Sequence, residues 1–235
     1  MEPLPTLAVR RLAAPLRQQV LDGLRQAVID GRLAPGARLI ERELTEMMGV
    51  SRTVIREALR QLETEGLIAI IPNRGPVVRA LSLVEATDLY AIRAVLEGHA
   101  ARLFVDNANE AQIKQLAQAL DVVAAAYERG DAHEVLATKN KFYDALFAGA
   151  GSETLSSMLA TLHARIWRWR ALGLSHPQRS DQSSKQSVKN LRALLSAIRK
   201  RDADAAESLT RAEAQRAATE IMRLMKAAET VANPL

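Results

Sequence analysis

Cysteine is absent from the 235 residues, which excludes disulfides and any zinc site built on thiolates. Long apolar runs are absent too: none approaches the ~18 residues that a membrane-spanning helix needs. Met1 to Leu16 holds prolines and Arg10-Arg11 but no continuous apolar stretch, so it does not read as a secretory signal. Together these absences describe a soluble protein of the cytoplasm. Strand-type runs are scarce, and no GxSxG segment or His–carboxylate constellation is in place for nucleophilic or metal-assisted chemistry. The expectation is a protein that is not an enzyme. No Phe, Tyr or Trp occurs before Tyr90. Readers of single strands and of RNA stack bases on aromatic rings, so a nucleic-acid partner of this half is expected to be duplex DNA.

What is present is charge and helical periodicity. The net charge is +5, and the first 80 residues hold twelve arginines, no lysine and nine acids, so the basic excess is denser at the front. Leu16, Val20, Leu24, Ala27 and Val28 recur at helical spacing and are stopped by Asp30-Gly31. Leu33-Ala34-Pro35-Gly36 is a turn, and a short helix from Glu41 to Met48 ends at Gly49. Ser51 suits the N-cap of a third helix that runs to about Glu65 and is closed by Gly66. Leu67 to Ile71 and Pro76 to Arg79 are extended runs flanking Asn73-Arg74-Gly75, which reads as a hairpin or wing. From Ser82 onwards only helices are legible, around 82–106, 109–129, 131–149, 152–172, 183–200 and 202–229. The expected fold class is mainly α: a winged helix-turn-helix over residues 1–80, then an all-helical bundle over 81–235.

Two helices joined by a tight turn at Gly49-Val50 and followed by a hairpin suit reading of a duplex. Ser51, Arg52, Thr53 and Arg56 fall at the start of the second of these helices, where free backbone N–H groups and the helix dipole favour phosphate. Arginine there can chelate guanine O6 and N7 in the major groove. Arg42 is placed to reach the same groove or its rim, and Arg74 beside Gly75 to enter a minor groove or touch phosphate. Any of these arginines alone is also an ordinary solvated charge, and Arg60 is read that way. The run "GARLIERELTEMMGVSRTVIREALRQLETEGL" resembles the GntR family of bacterial regulators. That resemblance implies operator contacts at Arg42, Ser51, Arg52, Thr53, Arg56 and the wing tip around Gly75.

The helical half resembles the FCD domain, the effector-binding domain of the FadR subfamily, through "YAIRAVLEGHAARL", "NKFYDALFAGAGSETL" and "LLSAIRKRDADAAESL". Many FCD domains hold a divalent metal with one Asp and three His, the Asp four residues before the first His. Matching this chain to that pattern puts Lys139 at the Asp position, with Tyr143, Leu191 and Glu213 at the His positions. None is the family's ligand, so the usual metal is expected to be absent and no cofactor is implied. In metal-bearing relatives the cation helps hold an acidic effector. Here Lys139, balanced by Glu213, brings its own positive charge, and Tyr143 adds a hydroxyl one turn away. Arg93, Arg165 and Trp169 are further candidates to line the cavity. Arg93 and Glu97 equally suit an i,i+4 pair that stabilises a helix, and Trp169 equally suits a core. The charges of "RIWRWR" point around their helix and read as serving solvent, pocket and dimer contacts separately. Of the histidines, His133 and His176 are expected in solvent, His99 and His163 towards the core.

The reading implied is a sequence-specific DNA-binding regulator, a repressor that acts as a homodimer on operator DNA under a small organic-acid-type metabolite. The rival is a constitutive DNA binder whose helical domain only dimerises.

Overall fold

The computed structural model describes residues 13–29 and 31–232, with side chains from Leu16 to Lys226 apart from Asp30. The leader reading of the first twelve residues, Arg10-Arg11 and the Asp30 stop signal lie outside the described residues. The chain forms two compact units, Met1–Ala80 and Leu81–Leu235.

The first unit holds α1 (Ala13–Ile29), α2 (Glu41–Met48), α3 (Arg52–Thr64), β1 (Ile68–Ile71) and β2 (Gly75–Val78). Val20, Leu21 and Leu24 of α1 and Ile55, Ala58, Leu59 and Leu62 of α3 are buried where the two helices pack. Leu16, expected in that apolar stripe, is 43% exposed; the buried stripe runs through Leu21 instead. The α2–α3 turn needs a left-handed residue, which Gly49 supplies at φ 65 while its N–H closes on Thr45 O. Ser51 is extended and its Oγ accepts from the Val54 N–H, so a new helix begins after only three intervening residues.

The wing is antiparallel, with Ile68 opposite Val78 and Ile71 opposite Gly75. Asn73 at φ 62 and Gly75 at φ 81 reverse the chain, so Gly75, expected in the loop, opens β2. The turn before α2 also reaches the wing. The Gly36 N–H donates to Val78 O at 2.8 Å, the Val78 N–H donates to Ala37 O at 3.0 Å, and Arg38 bridges Val77. The free edge of β2 is thereby satisfied from outside the hairpin.

The second unit holds α4 (Leu83–Asn107), α5 (Glu110–Arg129), α6 (Ala132–Gly149), α7 (Glu153–Ser175), α8 (Asp181–Arg199) and α9 (Ala203–Ala232). Reciprocal capping boxes start α4 (Ser82 with Glu85) and α5 (Asn109 with Gln112). Helix α4 packs along α9, α5 against α6 and α8, and α7 against α4 and α6. The larger core includes Phe104, Leu116, Phe142, Leu146, Leu159, Leu194 and Ile198. A second cluster joins Ala86, Tyr90, Leu162, Ile166, Trp169 and Ile221. Burying each such large side chain contributes about 1.5–3 kcal/mol. Phe104 sits so close to α6 that a Cβ at Gly149 would lie 2.2 Å from its ring. Among the described residues, no helix is long and apolar enough to cross a membrane.

Candidate DNA-reading face and effector cavity

Because Ile55, Ala58, Leu59 and Leu62 turn one face of α3 inward, Arg52, Thr53, Arg56 and Arg60 stand exposed on the other. Arg42, near the start of α2, is exposed as well. Arg56 is not a loose charge. Its Nε and Nη2 donate to Glu41 Oε1 and Oε2 at 3.2 and 2.9 Å, and the hydrogen bond from Arg56 holds the Glu41 carboxyl below its usual range. Arg52 and Arg60 add smaller pulls in the same direction. The Ser51 hydroxyl is committed to the helix cap. At the wing, Arg74 Nη2 donates to Gly36 O at 3.1 Å, so its guanidinium lies back on the protein beside Gly75.

Inside the helical unit two buried polar groups meet. In the first, Arg93 Nε donates to Glu97 Oε1 at 2.8 Å, and His163 Nε2 lies 2.6 Å from the same oxygen. Arg170 Nη1 donates to Asn140 Oδ1 at 2.7 Å and lies 3.4 Å from His163 Nδ1. Burial pushes the His163 imidazole down to about 4, outweighing the pull of Glu97. A neutral ring with its proton on Nε2 donates to Glu97 Oε1 and accepts from Arg170 Nη1, while Glu97 Oε2 stays buried with no hydrogen-bond partner. Burial alone would raise the Glu97 carboxyl, but Arg93 and His163 hold it at about 2. Burial and then Arg93 lower the pKa of Arg170, and its Nη2 is buried with no hydrogen-bond partner.

The second group centres on Glu213. Lys139 Nζ donates to Ser187 Oγ at 3.0 Å and lies 3.6 Å from Glu213 Oε1. The Glu213 carboxylate also accepts from Ser187 Oγ and Asn190 Nδ2, each at 2.7 Å, and from Arg216 Nε and Nη2, each at 2.9 Å. Burial acts to raise its pKa, and Lys139 and Arg216 overcome that and lower it. Leu191 is buried in the main core. The Tyr143 ring meets Phe142 and His163 edge-on, and the Arg93 guanidinium carbon lies 5.6 Å from its centre. Among the described residues, no group of three or more His, Cys, Asp or Glu could hold a metal ion.

Between these groups lies a chamber of about 40 Å³, lined by Arg93, Lys139, Arg170, Arg179 and Arg216 with Glu220. It adjoins an open groove of about 800 Å³ across Tyr127, Leu174 and Arg179. Of the residues singled out from sequence, Arg93 and Lys139 reach the chamber, Glu213 pairs with Lys139, and Tyr143 packs against Arg93 without lining it. Trp169 does not line it: with Leu162 and Ile166 it packs on Ala86, Tyr90 and Ile221. Arg165 is half-buried away from the lining, its Nε without a partner. The reason is the rotation of α7. Its 162/166/169 face is core, whereas His163 and Arg170, seven residues apart and so on one face, meet the polar groups. Arg170, Arg179 and Arg216 were missed by the sequence reading; the seven-residue spacing of Arg170 from His163 was the available signal. His99, expected towards the core, is exposed on α4.

Comparison with known proteins agrees with these two units. Residues 16–78 match the model of bacterial regulatory proteins of the gntR family, and residues 88–227 match the FCD domain. The chain is 30% identical over 193 residues to the HTH-type transcriptional repressor RspR of Escherichia coli (strain K12), covering 82% of this chain and 83% of that protein. It is 35% identical over 151 residues to the Nta operon transcriptional regulator of Aminobacter aminovorans, covering 61% and 70%. The solved structure of E. coli McbR/YncC superposes with a TM-score of 0.72 at 25% identity, over 93% of this chain and 99% of that one. These relatives are transcriptional regulators, not enzymes, and the chain belongs to the GntR family, as a DNA-binding regulator with an FCD domain as its helical half.

Proposed function

We propose that the protein is a repressor that binds a twofold operator as a homodimer and is controlled by a small organic acid held in the helical domain without a metal. The observation that carries the acid is Arg170 Nη2, a buried guanidinium nitrogen with no partner, in a residue lining a chamber walled by four other cations. A carboxylate there would satisfy it, and buried polar groups favour such pairing strongly. The metal-free reading is supported by chemistry at the family's ligand positions. The Lys139 ammonium offers no lone pair, Leu191 offers no donor, and Glu213 is already saturated by Lys139, Ser187, Asn190 and Arg216. A divalent cation does not fit that set.

Repression is the role named for the relative RspR. A twofold site calls for a twofold protein. The face we assign to the second copy is the groove between α4 and α9, where Val84 and Val95 are 71% and 51% exposed. Effector and DNA are then linked: the acid favours a dimer state that binds operator less well, and operator opposes the acid by the same factor. The test is the melting temperature of chelator-treated protein against divalent metals and a panel of small carboxylic acids. A rise with an acid and none with metals is expected. A rise with metals alone would overturn the metal-free reading.

A further inference from the structure

The chamber is too small for a whole metabolite. A volume of about 40 Å³ admits about three water-sized groups, which is one carboxylate. Five cations line it, and the nearby carboxylates number three: Glu97 on Arg93, Glu213 on Lys139 and Arg216, and Glu220 at the wall. Arg170 and Arg179 form no ion pair among the described residues. The rest of any ligand must lie past Tyr127, Leu174 and Arg179, in the adjoining groove.

That groove has its own chemistry. Ala124, Val135, Leu174 and Val188 supply apolar surface. Lys185, Lys189 and Arg192 repeat at i, i+4 and i+7 along α8, so they form one ridge facing the same space. All three are exposed, and none has an ion-pair partner among the described residues. The acids of the groove, Glu128 and Asp181, are fewer than its cations, counting Arg179. A monocarboxylate would leave this ridge unused.

We infer that the effector is an elongated dianion: one carboxylate in the Arg170 chamber, an apolar spacer across the groove, and a second anionic group on the Lys185–Lys189–Arg192 ridge. This rests on the acid-controlled reading above and adds to it the class of molecule. The chamber fixes the head through buried, charge-assisted hydrogen bonds. The ridge selects the tail through solvent-exposed attraction that weakens with salt.

The experiment is calorimetric titration of the chelator-treated protein with the α,ω-dicarboxylates from succinate to sebacate and with monocarboxylates of the same lengths. At the best length the dicarboxylate is expected to bind about tenfold tighter than its monocarboxylate, an advantage that shrinks as salt is raised. The surface variant Lys185→Gln/Lys189→Gln is expected to erase that advantage while leaving monocarboxylate binding unchanged. Arg170→Gln is expected to lose both series, and Arg179→Gln, at the half-buried shared wall, serves if Arg170→Gln does not fold. Equal affinity of the two series at every length overturns the dianion and leaves the acid-controlled reading standing. An advantage that survives in the double lysine variant overturns the ridge. Binding of neither series overturns both.

Discussion

Glu41, the first residue of α2, grips Arg56, one turn into α3, with both carboxylate oxygens. The pair ties the two helices of the reading motif together and presents the guanidinium at a fixed place on the exposed face. It also puts a negative charge beside a residue that we propose reads DNA. In the proposed operator complex both effects would discriminate between sites, because phosphate alone would be a weaker reward for Arg56 than phosphate with a guanine edge.

Arg52→Ala or Arg56→Ala is therefore expected to cost about 1–3 kcal/mol of operator binding. Glu41→Gln is expected to strengthen binding to non-operator duplex and to narrow the ratio of specific to non-specific affinity. Fluorescence anisotropy on an operator selected from a random duplex pool, beside a scrambled duplex, reads all three. An unchanged ratio in Glu41→Gln would contradict the positioning role.

The buried imidazole gives a pH dependence with a definite sign. His163 is held near 4 in the fold against an ordinary value of 6.5, so the unfolded chain binds its proton first. Its contribution is complete above pH 6.5 and is lost progressively as pH falls towards 4, a loss on the order of 1–3 kcal/mol. Urea unfolding of His163→Gln, which keeps a donor for Glu97 but does not titrate, should show a flatter stability curve over that window. An identical curve would mean that the ring is charged in the fold.

Lys139 and Glu213 make a second test. Lys139→Met removes the ammonium from a carboxylate that retains Ser187, Asn190 and Arg216, so the expected loss of stability is moderate, about 1–3 kcal/mol. Acid binding should weaken in the same variant, since Lys139 also lines the chamber. A variant as stable as the parent would show that Ser187, Asn190 and Arg216 satisfy Glu213 without Lys139.

Val95→Glu places a charge in the α4–α9 groove, on a residue already half exposed. Sedimentation should show a monomer, with operator affinity lowered and the melting temperature little changed. A dimer of unaltered stability would move the interface elsewhere.

The contrast between the two units shows what a sequence makes legible. The winged helix-turn-helix is written locally: Gly49, Ser51 and the apolar spacing of α3 each specify their element within a few residues. The cavity is not local. Its wall joins Arg93 from α4, Lys139 from α6, Arg170 from α7, Arg179 from the segment before α8 and Arg216 from α9. Helical periodicity identifies an amphipathic face but does not name the neighbour of each face. Trp169 and Arg165 thus read as pocket residues although the next face of the same helix, with His163 and Arg170, holds that place. Likewise Gly36 read only as the end of the turn that starts at Leu33, because nothing in the sequence from Gly36 to Arg38 announces the β2 edge that those residues satisfy.

Control by an acid in a metal-free cavity would act through affinity for DNA. The most direct measurement is operator anisotropy in chelator, titrated with the tightest-binding dicarboxylate, for the parent and for Arg170→Gln. The expected result is weakened operator binding for the parent and no response from the variant, with operator DNA weakening acid binding to the parent by the same factor. Operator affinity indifferent to an acid that demonstrably binds would contradict the claim and leave a DNA binder whose helical domain only dimerises.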